Sequence, residues 1–534
     1  MRSHLAIRAV FLAFVPALPA CAAPEGAPAS AVRSATTRPE ASLENRGAFF
    51  AKKLYKPQPL PTFAGTKDRL PSPIFDERPE YVDCYWAAWR MAFDRFRRPM
   101  PGSPFVSNYI DENFNNSIFL WDTAFMTMFC NYAHPYVPGI VSLDNFYCTQ
   151  LSDGEIVREV SEADGKPHKM SKPGTPDSLN HPILAWAERE SFHISGDVDR
   201  LRLVYQPLVH YYRSYAKIKD AGSGFYLTTW AAMDNSPRIE GMLCGIDTTA
   251  EVALFARDLA AIARAIGRDD EAEKWEQEAM HLGERINAEL WDDTTGFYYD
   301  WGTTGRRHNV RTIAAFWPML AGITRPAQVE RLVEHLEDPQ AFNRLHRVPT
   351  VPADEIGYHG DGHYWRGGVW TPTNTMIIRG LERSGRPELA RTIALNHLEN
   401  VVRVWQQTGT IWEFYAPDAT KPGALPGHDT RKEFVGWSGI GPIVYLIEHA
   451  IGIHVDAPGN QIHWHIQSPK QVGVERLWFG GRTVSLVCEP DSGNGQRVVR
   501  VRANGAFRLT IRWRASEHTV NIPTDQDVEL RIGP

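Results

Sequence analysis

The sequence has none of the short motifs that hold nucleotides or metal ions. No P-loop and no GxGxxG glycine motif is present, and neither HExxH nor a CxxC pair occurs. Basic residues are not in excess either. The 57 Lys and Arg face 63 Asp and Glu, which gives a formal net charge of −6. Such a balance argues against nucleic acid or an acidic membrane surface as a partner. We therefore predict no cofactor, no metal and no nucleic acid.

Cysteine is scarce, with six in 534 residues. Without Cys21 the number is odd, and the spacings are not those of a small cross-linked domain. A framework of disulfides is therefore not expected, although a single bridge stays open.

The N-terminus carries a targeting pattern over residues 1–23. Arg2 and Arg8 flank the start of the apolar run Ala9–Val15, and small residues follow, which predicts a secretory signal too short to span a membrane. Leu-Pro-Ala-Cys, ending at Cys21, is similar to a bacterial lipobox, apart from its proline. Ordinary cleavage after Ala20 or Ala23 is the alternative. In both cases we expect an exported protein, either periplasmic or anchored to the outer membrane by a lipid on Cys21.

Three further regions follow the signal. Residues 24–47 are rich in Ala, Pro, Ser and Thr, which indicates a flexible linker. Residues 48–455 carry helical periodicity, clearest over Thr248–Ile266, where apolar residues recur every three or four positions. Residues 456–534 alternate or run β-branched, which is typical of a small β-sandwich-like domain. The helices come in pairs without a fixed repeat, so the predicted fold is mainly α, an (α/α)6 barrel of six hairpins.

These are the predicted helices: Glu80–Phe96, Leu120–Tyr132, Pro182–Ser195, Asp197–Lys219, Thr248–Ile266, Asp270–Leu290, Val310–Ile323, Gln328–Leu336, Thr373–Ser384, Pro387–Trp405 and Ile440–Ile453.

The stretch Trp230–Arg238, WAAMDNSPR, places one carboxylate among bulky neighbours. Pro237 disfavours helical angles before it, so Asp234 is predicted in a loop or at a helix entrance. An acid that loses solvation has a raised pKa, as a general acid near neutral pH requires. A helix-capping Asp is the alternative interpretation.

Five loop stretches concentrate aromatic and polar residues: Asn113–Phe125, Gln150–Glu159, Trp230–Arg238, His363–Asn374, and Thr408–Asp418 with Gly436–Gly439 after it. Within them stand WDTAF, MDNSPR, YWRGGVWTPTN, WEFYAP and GWSG. In this order the five motifs resemble glycoside hydrolase family 63 and its mannosylglycerate-hydrolase-like relatives, with family 37 trehalases more distant.

The resemblance, over roughly residues 113–453, implies an inverting enzyme that cleaves α-linked sugars. By resemblance, Asp234 matches the general acid and Glu413 the general base. Inversion independently asks for two carboxyl groups about 6.5–9.5 Å apart, one protonated at the leaving oxygen and one holding a water. A surface carboxylate or a structural ion pair is the alternative for Glu413.

Further residues are candidates for holding the sugar. By resemblance Asp122 bonds sugar hydroxyls, which a fixed carboxylate accepts well, although it stands where a helix N-cap would. The other binding candidates, each of which has a core or salt-bridge alternative, are Trp121, Arg158, Trp230, Trp365, Arg366, Trp370, Trp412 and Trp437.

Some alternatives stay open at this point. Glu433 competes with Glu413, and Glu240, Asp247 and Asp361 compete with Asp234. Helical toroids also host sugar epimerases and polysaccharide lyases, and a non-catalytic surface glycan-binding lipoprotein is the third possibility. The sugar, the linkage and the oligomeric state are not predicted.

Overall fold

The computed structural model describes residues 49, 54–112, 115–238, 243–302, 305–426, 428–491 and 495–533, with only the backbone at 428–429. The predicted signal (1–23), the linker (24–47), Cys21 and Glu240 lie outside the described residues. What is described belongs to one compact unit. No helix in these ranges is both long enough and apolar enough to cross a membrane. No cysteine in these ranges forms a disulfide.

Twelve α-helices are described, most of them close to the predicted bounds. They are α1 Phe63–Thr66, α2 Pro79–Phe93, α3 Leu120–Cys130, α4 Asp144–Cys148, α5 Leu184–Ser195, α6 Val198–Ser214, α7 Ile246–Ala265, α8 Asp269–Glu289, α9 Trp317–Ala321, α10 Pro326–Glu337, α11 Thr371–Arg383 and α12 Pro387–Thr408. A π-helix, Gly441–Ile451, follows the 3₁₀ turn Trp437–Gly439.

Two predicted helices differ from the structure. The prediction Val310–Ile323 is too long, because Thr312 is extended and α9 begins at Trp317, where Pro318 favours a first turn. Gly322, in the left-handed region, ends this helix. The predicted last helix is instead wound as the π-helix, a form that hydrophobic periodicity does not separate from an α-helix.

The inner helices form a closed ring. α3 contacts α5, α5 contacts α7, α7 contacts α9, and α9 contacts α11. The 3₁₀ turn Trp437–Gly439 contacts α11 and α3, and the π-helix also contacts α3. Six inner members therefore close the ring. Each is buried almost all round, as a helix covered on every side must be, whereas the outer helix α8 buries one face only.

Short strands join the helices of the ring. They are β1 Ser72–Phe75, β2 Phe96–Arg97, β3 Tyr109–Ile110, β4 Ser117–Phe119, β5 Glu159–Ser161, β6 Leu227–Thr228, β7 Leu243–Cys244, β8 Trp291–Asp292, β9 Phe297–Tyr298, β10 Trp301–Gly302, β11 Arg306–Arg307, β12 Ala424–Leu425 and β13 His428–Asp429.

The C-terminal region is built of strands. They are β14 Ile453–Asp456, β15 Gln461–Ile466, β16 Val472–Phe479, β17 Arg482–Cys488, β18 Arg497–Ala503, β19 Phe507–Trp513, β20 Ser516–Ile522 and β21 Gln526–Ile532. One sheet has the order β1-β16-β17-β18-β21 and the other β14-β15-β19-β20, with only β15 and β19 parallel. Phe479 of the first sheet contacts Phe507 of the second.

The β region is joined to the helical ring by strand pairing and by backbone hydrogen bonds. β1 comes from the N-terminal part of the described chain and pairs with β16. The backbone amides of Ala457 and Gly480 donate to the carbonyls of His193 and Ile194 at the end of α5. The β region thus packs against one end of the ring, which leaves the other end free to present a site.

Candidate active site

One cavity of about 260 Å³ gathers most of the predicted site residues. It lies where inner helices begin: Asp122 is in the first turn of α3, His181 precedes α5, Trp370 immediately precedes α11, and Trp437 opens the turn before the π-helix. Helix N-termini carry a partial positive charge, which favours oxygen-rich ligands and carboxylates at this end of the ring.

Of the predicted residues, nine line this cavity: Trp121, Asp122, Arg158, Trp230, Asp234, Trp365, Trp370, Glu413 and Trp437. Arg366 and Trp412 do not.

Asp234 sits on a loop that is fixed from behind. It follows the 3₁₀ helix Trp230–Ala232 and caps no described helix, since α7 has Gly245 at its N-cap. Asn235 explains how the loop is held. Its amide nitrogen donates to the His363 carbonyl (3.0 Å), and its amide oxygen accepts from the Trp365 backbone (2.9 Å). The MDNSPR stretch is thereby locked to YWRGG.

The Asp234 carboxylate points into the cavity and is open to it. Because protein atoms surround it on its other sides, loss of solvation raises its pKa. The charge of Arg158 and a hydrogen bond from Tyr364 oppose this rise, and the negative charge of Glu413 adds to it, with a raised pKa as the result. The environment of Asp234 therefore favours the protonated form of its carboxyl group more than bulk water does.

Glu413 has a different environment. It is 1% exposed, and its side chain accepts hydrogen bonds on both oxygens, from the Thr430 hydroxyl and from the Arg431 guanidinium, each at 2.8 Å. Its backbone is held as well, since the Trp437 indole donates to the Glu413 carbonyl (2.8 Å). Two donors on two oxygens suit an ionised carboxylate, which only accepts hydrogen bonds.

Asp122 is buried beside these two groups. It does not cap α3, whose N-cap is Phe119, so the capping alternative is wrong. Burial, with the nearby charge of Asp111, raises its pKa well above the usual value. One of its carboxylate oxygens, Oδ1, has no hydrogen-bond partner. A buried acceptor without a donor, at the wall of a cavity, is suited to a hydroxyl of a ligand.

A stack of aromatic rings forms one wall. Trp365 and Trp370 are 4.6 Å apart with 12° between their planes, and Trp370 and Phe414 are 4.6 Å apart at 14°. Gly368 makes the stack possible, because a Cβ there would overlap the Tyr364 carbonyl and approach the Trp370 indole nitrogen to 2.9 Å. The glycine in YWRGGVW is thus a requirement of close packing.

Two predicted binding residues lie elsewhere. Arg366 does not line the cavity; its Nε donates to the Asn235 carbonyl (3.0 Å), so it braces the loop of Asp234. Trp412 is also outside, and its indole donates to the Thr408 hydroxyl (3.0 Å). Arg366 lies in a turn and Trp412 in an isolated β-bridge, and a motif match does not reveal the side-chain directions that such local backbone sets.

The competing carboxylates are also outside the cavity. Glu433 is exposed, with its carbonyl accepting from Arg95. Asp247 pairs with the buried guanidinium of Arg238, and Asp361 is exposed. Of the described carboxylates considered as alternatives, none lines the cavity.

Sequence reasoning missed several residues of the site: Tyr364, Thr430, Arg431, His181 and Glu251. Tyr364 stands between two predicted residues and has a positive φ of 64°, as does His363 before it (38°). Such backbone strain in a non-glycine pair is concentrated at functional sites. The signal for Tyr364 was its place inside YWRGG; Arg431 and His181 stand outside every quoted motif.

His181 supports the loop of Asp234 from the floor of the cavity. Its Nδ1 lies 3.1 Å from Glu251 and its Nε2 lies 3.0 Å from the Ala232 carbonyl, both of them acceptors. Burial lowers its pKa, but the Glu251 carboxylate outweighs burial, so the pKa is raised. With an acceptor at each ring nitrogen, both nitrogens donate, which is the hydrogen-bonding pattern of an imidazolium. The His181 ring lies 4.0 Å from the Trp121 ring.

Comparison with known proteins decides the family. Residues 119–432, more than half of the chain, match the model of the mannosylglycerate hydrolase MGH1-like glycoside hydrolase domain. The chain belongs to this family. It is a glycoside hydrolase of the family 63 type, as its motifs indicated.

Named relatives agree with this membership. A mannosylglycerate hydrolase of Thermus thermophilus is 33% identical over 187 residues, which are 34% of this chain and 40% of that protein. The chain thus aligns with less than half of that relative's length.

Solved structures share the fold. The family 63 mannosylglycerate hydrolase of Thermus thermophilus in complex with glucose superposes with a TM-score of 0.54 at 19% identity, over 67% of this chain and 98% of that one. Neutral trehalase of Saccharomyces cerevisiae gives 0.51 at 16% identity, over 64% and 74%. Both are (α/α)6-type enzymes, in accord with the closed ring described above.

Proposed function

We propose that this glycoside hydrolase is an inverting α-glycosidase, with Asp234 as the general acid and Glu413 as the general base. One observation carries the proposal: two carboxyl groups line the same cavity in opposite electrostatic environments. Burial favours the protonated form of Asp234, whereas Glu413 accepts from a hydroxyl and a guanidinium. A pair whose environments differ in this way divides the acid and base roles.

Asp234 gives its proton to the glycosidic oxygen as the bond between that oxygen and the anomeric carbon breaks. Tyr364 donates a hydrogen bond to the Asp234 carboxyl group. This hydrogen bond stabilises the negative charge that develops on Asp234 as its proton leaves. Trp230 and Arg158, stacked at 5.4 Å, lie on the same side of the cavity. Arg158 is held by a hydrogen bond to the Asp177 carbonyl (2.6 Å).

In the same step Glu413 takes a proton from a water that attacks the opposite face of the sugar. Thr430 and Arg431 hold the carboxylate in place, and one lone pair of each oxygen remains for the water. The free Oδ1 of Asp122 accepts a sugar hydroxyl, and the Trp365–Trp370 pair offers an apolar wall for the ring.

The substrate we propose is an α-glucoside or α-mannoside in which a single sugar unit enters the cavity. At about 260 Å³ the cavity is slightly smaller than most ligand sites, which run from about 300 to 1,000 Å³. This size favours exo action on a short oligosaccharide or small glycoside. Relatives are named mannosylglycerate hydrolase, mannosyl-oligosaccharide glucosidase and trehalase. The epimerase, lyase and binding-protein hypotheses are not retained.

We also propose that the chain is exported and that Cys21 carries the lipid of a lipoprotein. The support is the charge and hydropathy of residues 1–23. The C-terminal β region is proposed as a sandwich-like structural domain, since its two sheets meet at Phe479 and Phe507 and bond to the end of α5.

The function is tested by sugar release from a panel of α-linked glucosides, mannosides and galactosides. We expect turnover of one glycone series by the full chain and none by D234N. Thr408→Val, at a hydroxyl that bonds Val404 and Trp412 outside the cavity, serves as a control and should keep most of the activity. Equal release by D234N and the unmodified protein would contradict the proposal.

A further inference from the structure

A second group of metal-binding side chains lies far from the cavity, where the ring meets the β region. Glu382 is in the last turn of α11, His449 is in the π-helix, and His454 is in β14. One side-chain ligand atom from each lies within 4.8 Å of the others. We call these three residues the ring–sheet cluster. Two imidazoles and one carboxylate from three separate elements converge there.

One nitrogen of the ring–sheet cluster is buried and has no partner. His449 is 3% exposed, and its Nε2 makes no hydrogen bond. The nearest acidic atom is Glu382 Oε1 at 3.9 Å, beyond hydrogen-bond reach. Buried polar atoms without partners are uncommon, and each asks for an unseen donor, acceptor or ion.

The surroundings of the cluster have an excess of negative charge. Glu190, Glu382 and Glu448 all pair with Arg379. Within the described ranges no other Lys or Arg lies within ion-pair distance of these three carboxylates. Arg391 is also near, because its Nε donates to the His449 carbonyl (3.0 Å). Three carboxylates thus face two guanidinium groups, and a divalent cation would offset the remaining negative charge.

The donor set selects the kind of cation. Two imidazole nitrogens and a carboxylate oxygen suit zinc and its first-row neighbours rather than calcium or magnesium, which prefer oxygen alone. The 210 Å³ cavity beside His454, Glu190 and Glu448 leaves room for a water as fourth ligand.

We propose that Glu382, His449 and His454 bind one zinc-like divalent metal ion that ties the helical ring to the β region. Ligand atoms on a tetrahedral zinc lie about 3.3–3.5 Å apart, so the three side chains would draw together by small rotations. The ion would also stand at the C-terminal end of α11, where a positive charge is favoured. This site is independent of the proposed catalytic function.

The test is zinc binding by the full chain, stripped with chelator and measured by titration calorimetry. A second group, His359, Asp361 and His363, is mostly exposed and also has ligand atoms within 4.8 Å of one another. To remove zinc binding there, every protein in the test carries H359A. We expect H359A to bind one Zn²⁺ with a Kd below about 1 μM. Cobalt in place of zinc should give the visible absorption of a four-coordinate ion.

Substitution of the ligands decides the assignment. H449Q and H454A, each in the H359A background, should weaken zinc binding by about 100-fold or more and abolish the cobalt spectrum. H281A, at an exposed histidine of α8, is the matched control and should change neither. Zinc should also raise Tm in the H359A protein but not in H454A, whose metal-free Tm reports whether that variant is folded.

Two results would overturn the proposal. One is the absence of zinc binding tighter than about 10 μM in the H359A protein. The other is unchanged binding and cobalt absorption in folded H454A and H449Q.

Discussion

The loop that carries Asp234 and the loop that carries Glu413 reach the same cavity but treat their carboxyl groups in opposite ways. Asp234 is open to the cavity and has Tyr364 as hydrogen-bond donor. Glu413 is buried and has a donor on each oxygen, Thr430 and Arg431. The same chemical group thus loses solvation in one loop and has a hydrogen-bond donor on each oxygen in the other.

The difference also appears in how each loop is braced. The Asp234 loop is fixed through backbone atoms, by Asn235, Arg366 and His181, which leaves its carboxyl free to move a proton. The Glu413 loop is fixed through its backbone, by Trp437, and in addition through the carboxylate itself. Positional freedom suits the group that must follow a departing oxygen, and rigidity suits the group that must aim a water.

The strongest way to break the comparison is to remove each carboxyl in turn. D234N and E413Q should each lower kcat by about 10²–10⁴ on a natural glycoside, because each deletes one partner of general acid–base catalysis. An α-glycosyl fluoride separates them, since fluoride leaves without a proton. D234N should recover on the fluoride substrate, and E413Q should not.

Circular dichroism and Tm are the controls for folding in both variants. Recovery of E413Q rather than D234N on the fluoride would exchange the two roles.

Asp122 is a third carboxyl group at the cavity and, unlike Asp234 and Glu413, its Oδ1 has no hydrogen-bond donor. D122N should reduce kcat/KM by about 100-fold, because an amide replaces the carboxyl group that holds the substrate hydroxyl. The same change should raise Tm at pH 7. Burial raises the folded-state pKa above the ordinary 3.8, so the ionised group costs stability above that pH, and the gain should fade as pH falls towards 3.8.

Thermal melting of D122N and the unmodified protein from pH 7 down to pH 4 measures this. A variant that loses activity and is also less stable at pH 7 would contradict the picture of an unpartnered carboxylate.

The brace on Glu413 predicts a smaller effect. T430V removes the hydroxyl donor at 2.8 Å and keeps the shape, so kcat should fall by about 10-fold through looser aim of the attacking water. T408V is the matched control, since Thr408 bonds Val404 and Trp412 outside the cavity. Steady-state kinetics of the pair should separate them, and an equal loss in both would refute the role given to Thr430.

Substitution of Arg158 should cause the smallest loss of kcat/KM and a shift in its pH profile. Activity should fall as pH rises through the pKa of Asp234, because the acid works only when protonated. The charge of Arg158 lowers that pKa, so R158Q should raise it and move the alkaline limb of kcat/KM to higher pH. At pH 7 its kcat/KM should stay within about 5-fold of the unmodified enzyme.

The pH profile of kcat/KM for R158Q against R158K measures the shift. A limb that moves to lower pH would contradict the electrostatics assigned to Asp234.

The helices and the site residues within motifs could be predicted from the sequence, because both depend on residues close together in the chain. Helical periodicity and caps act over a few residues, so α7 ends near Gly267 as predicted, with that glycine in the left-handed region. Asp122, Asp234, Glu413 and Trp370, which were predicted from the sequence motifs, all line one cavity.

What the sequence did not reveal depends on contacts between distant segments. Arg431 meets Glu413 because its strand-like segment pairs with the WEFYAP loop, and His181 meets Ala232 across 51 residues. The direction of a side chain within a motif is also not local, so Arg366 and Trp412 were placed in the cavity wrongly. β1 joins a sheet nearly 400 residues away, which no periodicity indicates.

The most direct measurement of the central claim is the anomer that the enzyme releases first. Proton NMR of an α-glycoside during its first few per cent of hydrolysis, faster than mutarotation, distinguishes the two anomers. With Asp234 as acid and Glu413 as base on opposite faces of the ring, the β-anomer should appear first and the α-anomer only as the sugar equilibrates. First release of the α-anomer would mean retention, and would contradict both roles.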